Sequence, residues 1–173
     1  MTWINTWQGA LPKSFPDTDE ILQAKADLLS KAFTVSVKQN ITSPLVELNQ
    51  SIQQALFVAL KDQSLVRGID NVETLLNREK AGLDKLAKMD NSSAPRRISR
   101  LLILSNDCAP RLYEKAAAML LQNRPRLACI VLDADSSELC RKATGKPGTA
   151  KLLLVSGKNA LNLVLKAILR SNR

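Results

Sequence analysis

Short apolar runs alternate with amphipathic segments through the second half of this chain, and this alternation constrains the fold most strongly. Uninterrupted apolar runs are typical of strands that are buried on both faces of a sheet. The runs predict strands at residues 101–104, 127–132 and 151–155. The segments between and after them predict helices at residues 110–122, 136–143 and 159–169. Because helices must cover both faces of such a sheet, we predict an α/β fold: a three-layer α/β/α sandwich with a central mixed sheet.

The first half of the chain is predicted to be mostly helical. Apolar residues recur at helical spacing over residues 21–33, 45–60 and 70–88, and Leu65–Arg67 is predicted to be a short strand. We therefore expect an N-terminal arm and helix over residues 1–47. The α/β/α domain is expected to follow over residues 48–173, with a mobile basic insertion near residues 89–99.

The net charge of +9 is unevenly distributed along the sequence. Residues 91–173 carry 15 Lys and Arg against 5 Asp and Glu, whereas residues 1–90 carry 10 against 11. A domain with one strongly basic half is typical of a protein that binds a polyanion. A solvated surface that keeps the protein soluble is the alternative.

Composition excludes several classes of function. The chain has no histidine, which excludes Ser-His-Asp catalysis and histidine metal sites. Its three widely spaced cysteines indicate reduced thiols in the cytosol or nucleus. There is no apolar run of about 18 residues and no secretory leader pattern, so we expect no contact with a membrane.

The segment Leu65 to Asn71 is the first candidate binding site. A short strand ends at Arg67 and Gly68, and Asp70 and Asn71 then lie in the first turn of a helix. Backbone N–H groups at a helix start lack partners and can hold a phosphate or the polar edge of a base. The alternative is a purely structural helix start, with the glycine for the bend and Asp70 as the cap.

The segment from residue 141 to residue 151 is the second candidate. Two glycines in Gly145-Lys146-Pro147-Gly148-Thr149 allow close approach of the backbone to a ligand, but the segment does not match a nucleotide-binding P-loop. The site therefore suits a nucleic-acid backbone better than a mononucleotide. The cations that surround it are Arg141, Lys142, Lys146 and Lys151.

Three carboxylates and a thiol leave an enzymatic alternative open. Asp107 follows a predicted strand and could be catalytic, although a cap for the helix that starts at Pro110 is the favoured interpretation. Asp133 and Asp135 are spaced like a magnesium-binding pair, and Asp135 is also placed to cap a helix. Cys108 has no histidine to activate it as a nucleophile.

The order of these elements, together with Arg67-Gly68-x-Asp70-Asn71, resembles the kink-turn-binding ribosomal-protein superfamily, the L-seven-Ae/L-thirty-e group, over residues 50–169. The superfamily motif at this helix is basic–Gly–x–Asn–Glu, and a later family lysine falls on Thr74. Asp107 fits the family's strand-end Asp. Leu139 to Gly145 fits its Leu-Gly-x-x-x-Gly stretch, with Cys140 in place of the first glycine.

In that superfamily the helix start reads sheared G·A pairs, and the loop before the last strand packs on a flipped-out nucleotide. The resemblance therefore implies a structured RNA as partner, no cofactor and no catalytic or metal site in the chain. Together with the cations named above, it gives an RNA-binding set. Its members are Arg67, Gly68, Asp70, Asn71, Thr74, Arg141, Lys142, Thr144, Gly145, Lys146, Pro147, Gly148 and Thr149.

Within the superfamily, the N-terminal extension and the divergent helix start resemble the eukaryotic, fungal-type protein subunit of ribonuclease P and ribonuclease MRP. This implies a non-catalytic subunit that acts in tRNA and rRNA processing, contacts other protein subunits and resides in the nucleus, mainly the nucleolus. The alternatives are a snoRNP or ribosomal protein of the superfamily, a protein-interaction adaptor of the same fold, and a small α/β enzyme.

Two further expectations concern the flexible segments. Arg96, Arg97 and Arg100 lie in or beside the basic insertion and are expected to form a second, mobile RNA contact. Trp3 and Trp7 make the N-terminal arm unusually apolar for a free tail, so we expect the arm to dock on this domain or on a partner protein.

Overall fold

The computed structural model describes residues 2–90 and 95–171 and contains one sheet with helices on both faces. The strands are β1 (Ile4–Asn5), β2 (Ala32–Ser36), β3 (Ile41–Val46), β4 (Leu65–Arg67), β5 (Arg100–Leu104), β6 (Leu127–Leu132) and β7 (Leu152–Val155). The helices are α1 (Asp19–Leu29), α2 (Gln50–Lys61), α3 (Ile69–Asp90), α4 (Pro110–Gln122), α5 (Ser136–Thr144) and α6 (Lys158–Ser171). The predicted three-layer α/β/α architecture is confirmed.

The sheet is mixed, as predicted, and its strands follow the order β1-β3-β6-β5-β7-β4, with β2 paired to β3. Strands β3, β6 and β5 are parallel to one another, whereas β7 runs antiparallel to both β5 and β4. The antiparallel strand β7 therefore brings the loop that precedes it close to the end of β4.

Two apolar cores lie on opposite faces of the sheet. Alternate residues of β5 serve the two cores: Leu101 and Ile103 face one, and Leu102 and Leu104 face the other. Helices α1, α2, α5 and α6 cover the first face, and α3 and α4 cover the second. In the described part of the chain, none of these helices combines the length and the apolar character that crossing a bilayer requires.

Three strands within the first 47 residues were not predicted. The sequence pattern predicted a helix over residues 45–60, but Leu45 and Val46 belong to β3 and pair with β6. The prediction was too long because the apolar side chains of Leu45 and Val46 match the helical spacing of apolar residues in α2. Helix α2 starts only at Gln50, after the Asn49 cap. The boundary at residue 47 stays a prediction, but residues on both sides of it contribute to one sheet.

The predicted extent of the first helix was also wrong. The pattern predicted a helix over residues 21–33, whereas α1 ends at Leu29 and Phe33 lies in β2. The cap is Thr18, whose side-chain oxygen accepts a hydrogen bond from the N–H of Ile21.

The N-terminal arm docks on the domain, which confirms one of the two expectations for it. Trp7 is 2% exposed, and its Nε1 donates a 2.7 Å hydrogen bond to the Cys129 carbonyl of β6. Thr6 also donates to this carbonyl, at 3.2 Å. Trp3 remains 48% exposed.

Two of the three arginines near the basic insertion, Arg97 and Arg100, are held by the protein, contrary to the expectation of mobile RNA contacts. Arg97 Nη1 donates to the Leu11 carbonyl at 2.7 Å, and the backbone on either side of it bonds to Ala10 of the arm. Arg100 binds Glu79 of α3. Arg96 is exposed, and residues 91–94 of the insertion lie outside the described residues.

A two-arginine ion cluster fixes α3 to the sheet. Glu79 Oε1 lies 2.8 Å from Arg100 Nη2, and Glu79 Oε2 lies 2.7 Å from Arg126 Nη1. The Arg126 side chain is only 8% exposed, so its charge depends on this carboxylate for compensation. Burial acts to raise the pKa of Glu79, but the hydrogen bonds from Arg100 and Arg126 outweigh it, and the pKa is lowered.

We predict that Glu79→Gln lowers the free energy of unfolding by about 2 kcal/mol at pH 7, because it weakens hydrogen bonds to two charged groups. Because the folded-state pKa is lowered, this contribution is present above the unfolded-state pKa of about 4.3 and is lost as the pH falls through the folded-state pKa. Urea titrations between pH 3 and 7 measure the difference in free energy of unfolding between the wild type and Glu79→Gln. This difference should disappear as the pH falls. Glu73→Gln, an exposed position on the same helix, is the control; equal effects of both variants would contradict the prediction.

Candidate nucleic-acid interface

The β4–α3 junction is built around Gly68. Its φ of +90° lies in the left-handed region, which disfavours any side chain, although a Cβ at this position would meet nothing within 4 Å. The N–H of Gly68 donates to Leu152 O on β7, and its carbonyl accepts from Val72 N in the first turn of α3. The predicted glycine bend is confirmed, and it leaves open space in front of the helix.

The first turn of α3 exposes polar groups. Asn71 Nδ2 donates to the Arg67 carbonyl at 3.0 Å, which leaves its Oδ1 available. Asp70 does not cap the helix as the structural alternative supposed, and within residues 2–90 and 95–171 its carboxylate has no bonded partner. Thr74 is exposed one turn further along. The positive end of the helix dipole favours an acidic side chain or an anion here.

The loop between α5 and β7 is held by its own hydrogen bonds. Gly145 ends α5 in the left-handed conformation, and its N–H donates to Arg141 O at 2.8 Å. Thr144 Oγ1 donates to Cys140 O at 2.6 Å and accepts from Lys146 N at 3.2 Å. These bonds fix the start of the loop and leave Lys146, Pro147, Gly148 and Thr149 exposed.

Arg67 joins the two candidate segments. Its Nη2 donates to the Thr149 carbonyl and to Cys140 Sγ, the latter at 3.3 Å. A Cβ at Gly148 would lie 3.2 Å from Cys140 Sγ and 3.5 Å from Arg67 Nη2, so the backbone approaches closely here. The structure therefore places the α3 start and the 144–149 loop side by side. Arg67 acts as a tether between them.

The cations of the loop fall into two groups. Lys142 Nζ lies 2.7 Å from Glu138 Oε1, and this ion pair reduces its availability to an anion. Arg141, Lys146 and Lys151 are exposed, and their side chains form no ion pair within the described ranges. These three residues supply the unpaired positive charge at the interface.

The candidate catalytic carboxylates have structural roles. Asp107 does not cap α4, whose start at Ala109 has no side-chain cap. It instead accepts from Ser136 N at 3.0 Å and Ser136 Oγ at 2.9 Å, and so links the end of β5 to the start of α5. Partial burial acts to raise the pKa of Asp107, but the bonds from Ser105 and Ser136 outweigh it and lower the pKa, so the carboxylate is ionised at neutral pH.

The Asp133 and Asp135 pair is likewise engaged in structural contacts. Asp135 caps α5 by accepting from Glu138 N at 2.8 Å, which confirms that prediction. Asp133 accepts from Asn106 Nδ2 at 3.1 Å. Within residues 2–90 and 95–171, no group of three or more acidic or cysteine side chains is arranged to hold a metal ion.

All three cysteines are buried free thiols, as predicted. Burial raises the pKa of Cys108, and it raises that of Cys129 to about 12, so both are protonated near neutral pH. A protonated thiol is a poor nucleophile. Cys140 has a packing role beneath the loop, against Arg67 and Gly148.

The predicted set of site residues did not include an aromatic side chain that lies at this site. Phe57 on α2 is 38% exposed, and a Cβ at Gly145 would lie 3.9 Å from its Cε2 atom. Lys61 Nζ lies 4.8 Å from the centre of the Phe57 ring. The helical period of α2 predicts that Phe57 points away from the core, but the sequence does not indicate that Gly145 is its neighbour.

Several proteins of known structure resemble this chain. The sequence matches no protein-family model and no curated protein. A Bacillus halodurans protein of unknown function is 15% identical with a TM-score of 0.42, and the match covers 69% of this chain and 98% of that one. A 15.5 kD RNA-binding protein of Giardia lamblia is 13% identical with a TM-score of 0.46, and the match covers 72% of this chain and 90% of that one.

We predict that Arg67→Met frees the 146–149 loop, because it removes the guanidinium that donates to Thr149. Backbone ¹⁵N order parameters in the loop should fall from about 0.85 toward 0.6, and the free energy of unfolding should fall by only about 1 kcal/mol or less. Arg78→Met changes an exposed arginine on α3 and serves as the control. An unchanged loop in Arg67→Met would show that the tether does not order it.

Proposed function

We propose that this protein is a non-catalytic RNA-binding subunit of a ribonucleoprotein and that it clamps a structured, kink-turn-like RNA element. One observation carries the proposal: Arg67 holds the start of α3 against the loop between residues 144 and 149. In this proposal, one RNA element contacts both of these neighbouring segments.

The chemistry of the site suits RNA. The N–H groups in the first turn of α3 and the side chains of Arg141 and Lys146 can bind phosphate oxygens. The Asp70 carboxylate and the Asn71 Oδ1 can accept from the amino groups of bases. The site therefore combines phosphate binding with readout of base edges.

A non-catalytic role is supported by the candidate catalytic groups, which are buried or take part in structural hydrogen bonds. Asp107 binds Ser136, Asp135 caps α5, and Cys108 is protonated because it is buried. These groups stabilise the edge of the sheet in the places where an enzyme would present reactive side chains. We therefore assign chemistry on the RNA to other components of the complex.

The particular complex that we propose is ribonuclease P/MRP, which processes precursor tRNA and rRNA in the nucleus and nucleolus. This assignment rests on the resemblance of the N-terminal extension and of the Arg67 to Asn71 segment to the fungal-type subunit. A snoRNP or ribosomal role is the alternative. Sequencing of the RNA that co-purifies with the full chain separates these assignments.

We predict that Arg141→Ala combined with Lys146→Ala lowers RNA affinity at least ten-fold and reduces the salt slope of binding by about two units, one for each phosphate contact. The measurement is a titration of labelled kink-turn RNA in the presence of excess tRNA, at several salt concentrations. Lys142→Ala should have a smaller effect because Lys142 is paired with Glu138.

The matched control removes the same charge elsewhere. Lys166→Ala combined with Arg170→Ala changes two exposed cations of α6 that lie outside the clamp. If both double variants lowered the affinity and salt slope equally, the attraction would depend on net charge alone, and the assignment of the 144–149 loop would be wrong.

A second candidate function, a protein-interaction role on the same fold, is favoured by a groove along α6. The groove has a volume of about 480 Å³ and is bounded by the arm near Phe15, by Ile21 of α1, and by Leu163. Leu163 is 40% exposed. The charged side chains in the lining are Lys166 and Arg170, so the complementary partner carries apolar and acidic side chains. Such a partner is compatible with RNA binding at the other site.

We predict that Leu163→Asp releases such a protein subunit from the purified complex while leaving its RNA bound, because the substitution adds an anion to the groove. Leu22→Asp, at a 52% exposed position of α1 outside the groove lining, is the control. The measurement is the ratio of each co-purified subunit to RNA. If Leu163→Asp leaves every ratio unchanged, the groove is not a subunit contact.

A further inference from the structure

We infer that Phe57 is a stacking platform for an unpaired nucleobase and that Lys61 binds the phosphate beside that base, so that the RNA interface extends from the clamp onto α2. The inference rests on the RNA-binding function proposed above and identifies a further contact of that site.

The placement of Phe57 supports this role. Its ring is 38% exposed and borders Gly145, the first residue of the loop after α5. Gly145 continues directly into Lys146 and Pro147, which are exposed. A nucleotide that lies against this loop therefore meets an aromatic ring at its side, and every base has a face that can stack on such a ring.

The other described aromatic side chains are not available at this site. Trp3 is exposed but directly precedes β1, at the opposite edge of the sheet from β4. Trp7 is buried, and Phe33 and Tyr113 pack on each other with ring centres 5.5 Å apart. Phe15 packs against the core beneath α1 and α6. Phe57 thus supplies the aromatic surface beside the clamp.

Lys61 currently lies over the Phe57 ring, with Nζ 4.8 Å from its centre. An exposed cation–π contact contributes only about 0.5–1 kcal/mol, whereas stacking of a base on an aromatic side chain contributes about 1–3 kcal/mol. A base can therefore displace the ammonium group from the ring. The lysine chain is flexible enough for the displaced ammonium to bind the phosphate of the same nucleotide.

A kink-turn RNA that carries 2-aminopurine at its unpaired nucleotide tests the inference in the full-length protein. Fluorescence should be quenched on binding to the wild type and to Phe57→Tyr. Phe57→Leu keeps an apolar side chain but loses the aromatic face, so it should lose most of the quenching and about ten-fold in affinity. Lys61→Met should retain the quenching and lower the salt slope by about one unit.

The outcomes separate this inference from the proposed function. If the wild type binds the RNA and Phe57→Leu matches it in affinity and quenching, the stacking role is wrong and RNA binding stands. If the wild type fails to bind in the presence of excess tRNA, the proposed function fails, and the inference fails with it. Thermal unfolding of each variant shows that the fold is retained.

Discussion

The pairing of β5 with β6 is the constraint on which the rest of the structure depends. Both strands are apolar and buried on both faces, so the chain must place helices above and below them. Strand β7 then pairs antiparallel with β5 on one side and with β4 on the other. In this register Arg67 lies opposite Leu153, only four residues after Thr149. The proximity of the α3 start to the 144–149 loop, which precedes β7, is thus a consequence of how the core is packed.

The net charge overstates how many cations are available to bind an anion, because several of the arginines are bonded to other groups of the protein. Arg100 and Arg126 share Glu79, Arg97 holds the N-terminal arm, and Arg67 tethers the 144–149 loop. A guanidinium is suited to such roles because its planar set of donors can satisfy several acceptors at once. A loop lysine, Lys146, carries one of the charges that remain exposed at the interface. The basic half of the sequence is therefore partly a structural feature, and only part of its charge is available for recognition.

Sequence reasoning succeeded where local pattern decides the structure and failed where distant residues decide it. Helix α4 and strand β6 were predicted with their observed bounds, because Pro110 starts the former and an unbroken apolar run defines the latter. Strand β3 was missed because polar residues interrupt its apolar pattern and because two of its three pairings, with β1 and β6, join residues far apart in sequence. The same limit explains the misassignment of Asp107, whose partner Ser136 is 29 residues distant. It also explains why the bond from Arg67 to Thr149, 82 residues distant, was not predicted.

Asp70 and Asn71 stand where the superfamily motif has Asn and Glu, and their side chains determine which groups of an RNA the proposed clamp can bind. Asn71 uses its amide nitrogen on the Arg67 carbonyl, so both side chains offer acceptors outward while the helix N–H groups supply donors. In a regular RNA duplex, the deep and narrow major groove prevents side chains from reading the base edges. Acceptors on a short, exposed helix turn can reach the amino groups that face this major groove only where the backbone bends or a base leaves the stack. Under the proposed function, the side-chain chemistry at the start of α3 selects distorted RNA, and an aromatic platform beside the loop would act on the same distortion.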